Sequence, residues 1–309
     1  MKLGPKNIWR LLRQTFSDWS EDKAPELGAA LAFYTALSIA PLLVIILGIA
    51  GMFLGEEAAQ GEIQTQMQAM VGDDGAKAIG DMIANADKPT EGTIATVLSV
   101  VTLLFGASGV FGQLQSSLNT IWEVQPKPGR GIWGMIRDRF LSFTMVLGIA
   151  FLLLVSLILT AALGALQKMI PLPDSMQWMA QGLNFAVSFI VITLLFAMMF
   201  RLLPDVKIAW RDVWLGAAVT ALLFAIGKFA IGLYLGHSAM ASSYGVAGSF
   251  VVLLVWVYYS AQILFFGAEL TQVYANKFGS RIVPAENAVP LTEETRAQQG
   301  RPRHRPSPA

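Results

Sequence analysis

The sequence predicts an all-α membrane protein: a bundle of six transmembrane helices with an N-terminal amphipathic interfacial helix and a small helical extracytoplasmic cap. Three observations carry this expectation. Hydrophobic residues make up 54% of the 309 positions and charged residues 14%, where soluble domains carry about 25% charge. Five stretches between consecutive charges exceed the roughly 20 apolar residues needed to cross hydrocarbon: Gly28 to Leu54, Gly92 to Trp122, Phe140 to Gln167, Ser175 to Phe200 and Phe229 to Ala268. Lys and Arg gather on alternate sides of these stretches, as cytoplasmic loops retain positive charge.

Residues 1–27 form a cytoplasmic amphipathic segment. Ile8, Leu11, Leu12, Thr15, Phe16 and Trp19 share one helical face, with Arg10, Arg13 and Asp18 elsewhere on the turn. Such a helix lies flat on the inner leaflet, either as an anchor that orients the first crossing or in a gating or partner-binding role. The first crossing, 28–54, is too long for the apolar core of a cleavable signal, so it is read as an anchor. Pro41 lacks an N–H and is expected to kink it.

The loop 55–91 holds eight acids against two lysines. Its apolar residues (Ile63, Met67, Met70, then Ile79, Met82, Ile83) suggest two short helices broken at Gly72 to Gly75. The acids could attract cations or basic substrates, or simply reflect the exclusion of Lys and Arg. Asp73 and Asp74 lack calcium-loop spacing.

The second crossing, 93–117, carries Gly106, Gly109 and Gly112 at three-residue spacing, which lets backbones approach closely. The amides of Gln113, Gln115 and Asn119 follow, and they cannot all face lipid cheaply. Crossings three and four are placed at 140–166 and 177–201. The run from Phe229 to Ala268 is too long for one helix and contains Gly236-His-Ser and Ser242-Ser-Tyr-Gly245. Extended back to Val213, it gives crossings at 213–236 and 244–274. The membrane domain is thus 28–275, and the Pro-, Glu-, Gln- and Arg-rich tail 276–309 is expected to be disordered.

Eighteen of the 22 Lys and Arg fall in the N-terminal segment, the second and fourth loops and the tail. Both termini are therefore expected in the cytoplasm.

Polar groups inside hydrocarbon are costly and usually face the bundle interior or a water-filled path. In the sixth crossing Tyr258, Gln262, Glu269 and Gln272 recur at helical spacing, with Tyr259 beside them. Glu269 falls near the inner boundary, where it can be an ion-pair anchor to Arg137, Arg139, Arg201 or Arg211, or a cation or proton relay. Lys228 lies past the midplane of the fifth crossing; it can snorkel outward or hold an anionic headgroup or carboxylate. The candidate substrate path is Gln113, Gln115, Asn119, Lys228, Tyr258, Tyr259, Gln262 and Glu269. Pro41, Gly106, Gly109, Gly112 and Gly267 are assigned structural roles.

Several function classes are disfavoured. Zero cysteines remove disulfides, thiolate metal sites and thiol nucleophiles, and two histidines make a His-based metal site a poor expectation. HExxH, phosphate-binding loop and nucleophile-elbow spacings do not occur. No catalytic residues, metal or cofactor are expected, and the protein is read as not an enzyme. A net charge of +1, with no aromatics interleaved among the tail arginines, argues against nucleic acid as a partner. The expected partners are membrane lipids and a small-molecule, ion or lipid substrate.

Gly28-Ala-Ala-Leu-Ala-Phe-Tyr34 with Ser38-Ile-Ala-Pro41, then Ser117-Leu-Asn-Thr-Ile-Trp122, Leu203-Pro-Asp-Val-Lys207 with Trp210 and Gly216-Ala, Tyr244-Gly, and Phe266-Gly-Ala-Glu-Leu270 occur in this order. The ordered set, across about residues 7 to 280, resembles the BrkB/YihY family of bacterial inner-membrane proteins. The resemblance implies six helices and cytoplasmic termini. It also implies an inner-membrane location and suspected roles in transport or envelope-lipid handling. Some members carry a ribonuclease BN label; a nuclease needs a metal cluster or acid–base pair beside a basic RNA surface, and neither is visible here. The expected function is a transporter or lipid translocator, with a non-catalytic scaffold that recruits envelope partners as the alternative.

Overall fold

The structure, a computed structural model, describes residues 4–55, scattered positions between 57 and 83, and residues 93–128, 174–237, 246–280 and 282–300. The third expected crossing, 140–166, and most of the expected cap lie outside the described residues. Within them the chain runs α1 (Pro5–Glu21), α2 (Ala24–Leu54), α3 (Thr93–Ile121), β1 (Val124–Pro126), α4 (Asp174–Leu202), β2 (Val206–Lys207), α5 (Trp210–His237), α6 (Val246–Phe278), β3 (Val283–Pro284), β4 (Ala288–Pro290) and α7 (Glu293–Gln298).

Among the described residues three helices are long and apolar enough to cross a membrane, at Phe185–Leu202, Trp210–Gly227 and Phe250–Phe278. A fourth is formed if the two halves of α2, Ala24–Ile39 and Pro41–Gly48, act as one span; they meet at 56°. The bend falls where Pro41 removes a backbone donor, as expected from the sequence. α6 packs on α1, α2 and α5, α5 also packs on α4, and α2 on α3.

Small residues set two of these contacts. Between α5 and α6 the packing is reciprocal. Gly216 faces Thr271 and Gly267 faces Thr220, so closely that a Cβ on either glycine would overlap the opposing threonine. Each threonine donates its hydroxyl to the carbonyl four residues before it, Thr220 to Gly216 and Thr271 to Gly267, at 2.7 Å. The hydroxyls are thereby satisfied within their own helices and the interface stays dry. Between α2 and α3, Ser38 Oγ donates to the Gly106 carbonyl at 2.6 Å. A Cβ on Gly106 would lie 3.1 Å from Pro41 Cγ, and one on Gly109 would lie 3.3 Å from Ser38 Oγ. Gly112 departs from the expected stripe: among the described residues nothing lies within 4 Å of its Cβ position.

The main core sits at one end of the bundle, here termed the basal end. Leu118, Ile121 and Trp122, Phe200, Val213 and Phe265 pack there with Leu203, Val206 and Ile208 of the turn after α4. A second cluster joins Ile39 and Leu43 of α2 to Val252 and Leu253 of α6, with Ile63 and Ile83 against it.

Two expectations are corrected. The face of α1 predicted to lie on lipid is divided: Leu11 and Thr15 are buried, Leu11 against Leu270 and Val273 of α6, while Ile8, Leu12 and Phe16 stay exposed. The tail expected to be disordered from residue 276 is folded through residue 300. α6 runs on to Phe278, β3 pairs antiparallel with β2 and β4 with β1, and α7 starts at Thr292, whose Oγ1 accepts the Thr295 amide at 3.2 Å. Its polar composition hid this because most of the order comes from backbone pairing and ion pairs with distant segments, with only Ala288 and Ile282 joining the apolar core.

Candidate functional site

The segment 282–300 closes over the basal end as a strap. β4 lies on the strand that follows α3, and β3 on the strand that follows α4. Asp205, between α4 and β2, is the hub of this seam. Its carboxylate accepts Asn119 Nδ2 at 2.9 Å and Asn287 Nδ2 at 2.8 Å, and its own N–H donates to Asn119 Oδ1 at 2.7 Å. Both ends of the Asn119 amide are engaged with Asp205. At the neighbouring corner Asp212 accepts the backbone N–H and the hydroxyl of Ser280, at 2.8 and 2.6 Å, and so fixes the turn that follows α6.

Under the strap lies a narrow cleft, filled by Arg296 and lined otherwise by Asp18, Glu21, Asp22, Glu123, Glu269 and Gln272. Arg296 comes from α7 and is 3% exposed. Its guanidinium spans two acids, donating Nη1 to Glu123 at 2.9 Å and Nη2 to Asp22 at 3.0 Å. Two backbone positions aim these acids. Among the described residues only Lys23 (φ 55°) and Glu123 (φ 56°) are non-glycine residues in the left-handed region. Lys23 makes the corner between α1 and α2 directly after Asp22, and Glu123 makes the one after α3. Each such residue costs about 1 kcal/mol and persists only where its surroundings over-determine it.

Glu269 forms the base of the cleft. Its side chain is completely buried and, among the described residues, neither carboxylate oxygen has a hydrogen-bond partner. Of the four arginines expected to pair with it, the two that are described, Arg201 and Arg211, are engaged elsewhere. Arg201 stacks on the Trp210 ring at 4.4 Å and Arg211 contacts Asp212 at 3.5 Å, while Arg137 and Arg139 lie outside the described residues. The arginine beside Glu269 in the cleft comes instead from the tail.

Seven residues earlier on the same face of α6, Gln262 presses its amide on Gly28, where a Cβ would displace it; both polar atoms of that amide are buried and unpartnered. Tyr258 and Tyr259, one turn further, are more than a third exposed. Tyr259 rests on Gly227 of α5. On α3, Gln113 donates to Ser117 Oγ at 3.3 Å and Gln115 is half-buried. Lys228 lies on α5, with its side chain outside the described residues. Of the sequence-predicted path, then, α6 brings Gln262 and Glu269 into one column, whereas Asn119 belongs to the seam. Sequence reasoning missed Asp22, Glu123 and Arg296. The signal for the last was legible, since Thr292 followed by Glu293 and Glu294 is a helix start. Among the described residues no three carboxylate or imidazole side chains converge on a metal position.

A family model described as virulence factor BrkB matches residues 15–292, further into the tail than the resemblance through residue 280. A UPF0761 membrane protein of Verminephrobacter eiseniae is 26% identical over 272 residues, covering 85% of this chain and 62% of that protein. One from Actinobacillus pleuropneumoniae is 25% identical over 263 residues, covering 82% and 89%. A third, from Psychromonas ingrahamii, is 26% identical over 285 residues, covering 88% and 92%. This chain therefore spans less than two thirds of the first of these relatives and most of the other two. No solved structure matches. Relatives named as membrane proteins and helices apolar enough to span agree on a membrane location, and with the family model matching nearly the whole chain, the protein belongs to the BrkB/YihY family.

Proposed function

We propose that the protein is a multi-pass inner-membrane transporter or lipid translocator, with six crossings, an extracytoplasmic cap and both termini in the cytoplasm. Its path follows the polar column of α6 and opens at the basal cleft. The observation that carries this reading is Glu269, a carboxyl group with no exposed surface and no hydrogen-bond partner, two helical turns below an equally unpartnered Gln262. A buried polar group left unpaired costs on the order of 1 to 3 kcal/mol, and more when charged. A purely structural helix would be better served by apolar residues at both positions. Energy comes from an ion gradient or from the substrate's own gradient, since no nucleotide-binding motif is present.

The test is flux in proteoliposomes, assayed for fluorescent-lipid flipping and for ion-driven solute uptake, with wild type, Gln262→Leu and Glu269→Gln compared. Flux in wild type that falls in both variants at equal reconstitution supports the reading. If flux is missing while the folded protein binds envelope partners through the exposed Ile8, Trp9, Leu12 and Phe16 of α1, the scaffold alternative replaces it.

A further inference from the structure

We propose that the basal cleft is a binding site for a cation bearing guanidinium or ammonium groups, and that Arg296 on the C-terminal strap is its built-in competitor. Three features of the cleft lead there. First, Arg296 already shows how the cleft takes a guanidinium: one N–H edge to Glu123, another to Asp22, with the group almost fully withdrawn from water. Second, five acids (Asp18, Glu21, Asp22, Glu123 and Glu269) line the cleft with this single arginine. The innermost acid, Glu269, is fully buried and has no hydrogen-bond partner. Third, no three of the described carboxylates are arranged to enclose a metal ion. N–H donors that bridge two acids suit this spacing better than a compact ion needing several oxygens at about 2.0 to 2.6 Å.

The attachment of the strap makes exchange feasible. It is held by a three-residue pairing, a two-residue pairing and the six-residue α7, so releasing Arg296 does not require any long helix to move. A cation with two charged ends can place a guanidinium between Asp22 and Glu123 and reach Glu269 with an ammonium, a pairing that Arg296 alone leaves unmade. This goes beyond the transport reading and does not depend on it, because binding is measured on the purified chain whether or not anything crosses the membrane.

The experiment uses the full chain in detergent micelles and agmatine, which carries one guanidinium and one ammonium group. Binding is followed by calorimetry and by thermal protection, with magnesium chloride and potassium chloride at matched ionic strength as controls. Arg296→Ala is expected to tighten agmatine binding by about tenfold or more, since a competitor is removed, and adding Glu269→Gln should weaken it again by about tenfold. If Arg296→Ala does not fold because Asp22 and Glu123 lose their counter-charge, Arg296→Lys takes its place. Lys keeps a charge but loses the two-acid bridge, and binding should still tighten. Equal agmatine affinity in wild type and the Arg296 variant would overturn the proposal. So would protection by magnesium or potassium equal to that by agmatine, which would reduce the site to a general negative field or a metal site.

Discussion

Replacing Asn119 with alanine should loosen the basal end by far more than its size suggests. Asn119 makes two bonds to Asp205, one to the carboxylate at 2.9 Å and one from the backbone N–H at 2.7 Å. A hydrogen bond to a charged group is worth about 1.5 to 3 kcal/mol and a neutral one about 0.5 to 1.5 kcal/mol. Asn119 is 6% exposed, so water cannot readily replace it. The loss is about 2 to 4 kcal/mol, or roughly 30- to 1000-fold in the folding equilibrium. Asn287→Ala removes one charge-assisted bond and should cost about 1.5 to 3 kcal/mol before solvent replacement is counted. The two losses should not add, because both amides serve one carboxylate. The assay is reversible unfolding in mixed micelles of the single and double variants, with hydrogen exchange read over residues 282–298. A change below about 0.5 kcal/mol in Asn119→Ala, the size expected of a neutral surface change, would refute the reasoning. The amide would then be free to serve in a path, as its place in the sequence first suggested.

Three further outcomes are expected. Gly267→Ala drives a methyl into Thr220 and should cost about 1 to 3 kcal/mol, whereas Gly112→Ala, with none of the described residues near its Cβ position, should change stability by less than about 0.5 kcal/mol; thermal unfolding of the pair in one detergent checks both. Glu269→Gln should leave folded yield and thermal stability unchanged, because among the described residues its carboxylate holds no ion pair whose loss would strand an arginine; a collapse in yield by size-exclusion profile would restore the anchor role. Topology reporters fused after Asp73 and Ser242 should read outside and those after Lys127 and Lys207 inside, and a single reversed reporter removes the six-crossing arrangement.

The helices were legible because hydropathy is a local property. The expected first crossing, 28–54, corresponds to Ala24–Leu54, and the expected fifth, 213–236, to Trp210–His237. Pro41 was legible for the same reason, since a missing donor acts on its own helix. The site was legible only in part. Glu269 and Gln262 stood out as polar residues in an apolar run, but their lack of partners depends on what packs around them. Asp22, Glu123 and Arg296 looked like ordinary solvated charges, and pairing across 274 and 173 positions leaves no periodic trace. Gly28 was noted within a motif, yet its reason, the Gln262 amide pressed on its Cα, exists only between helices.

The strap also sets a timetable for assembly. Asp22 leaves the ribosome with the first crossing, and its guanidinium partner follows 274 residues later. At about 5 to 20 residues per second this is roughly 15 to 55 s. During that interval the helices can insert and α1 can settle, and for the last 173 residues of it Asp22 and Glu123 both exist with no arginine between them. The vestibule itself is complete only once α6 supplies Glu269 and Gln272, and translation of the last elements is what closes it. A ribosome stalled before residue 296 would leave a membrane-inserted bundle with that vestibule open, so the order of synthesis itself separates two electrostatic states of one polypeptide.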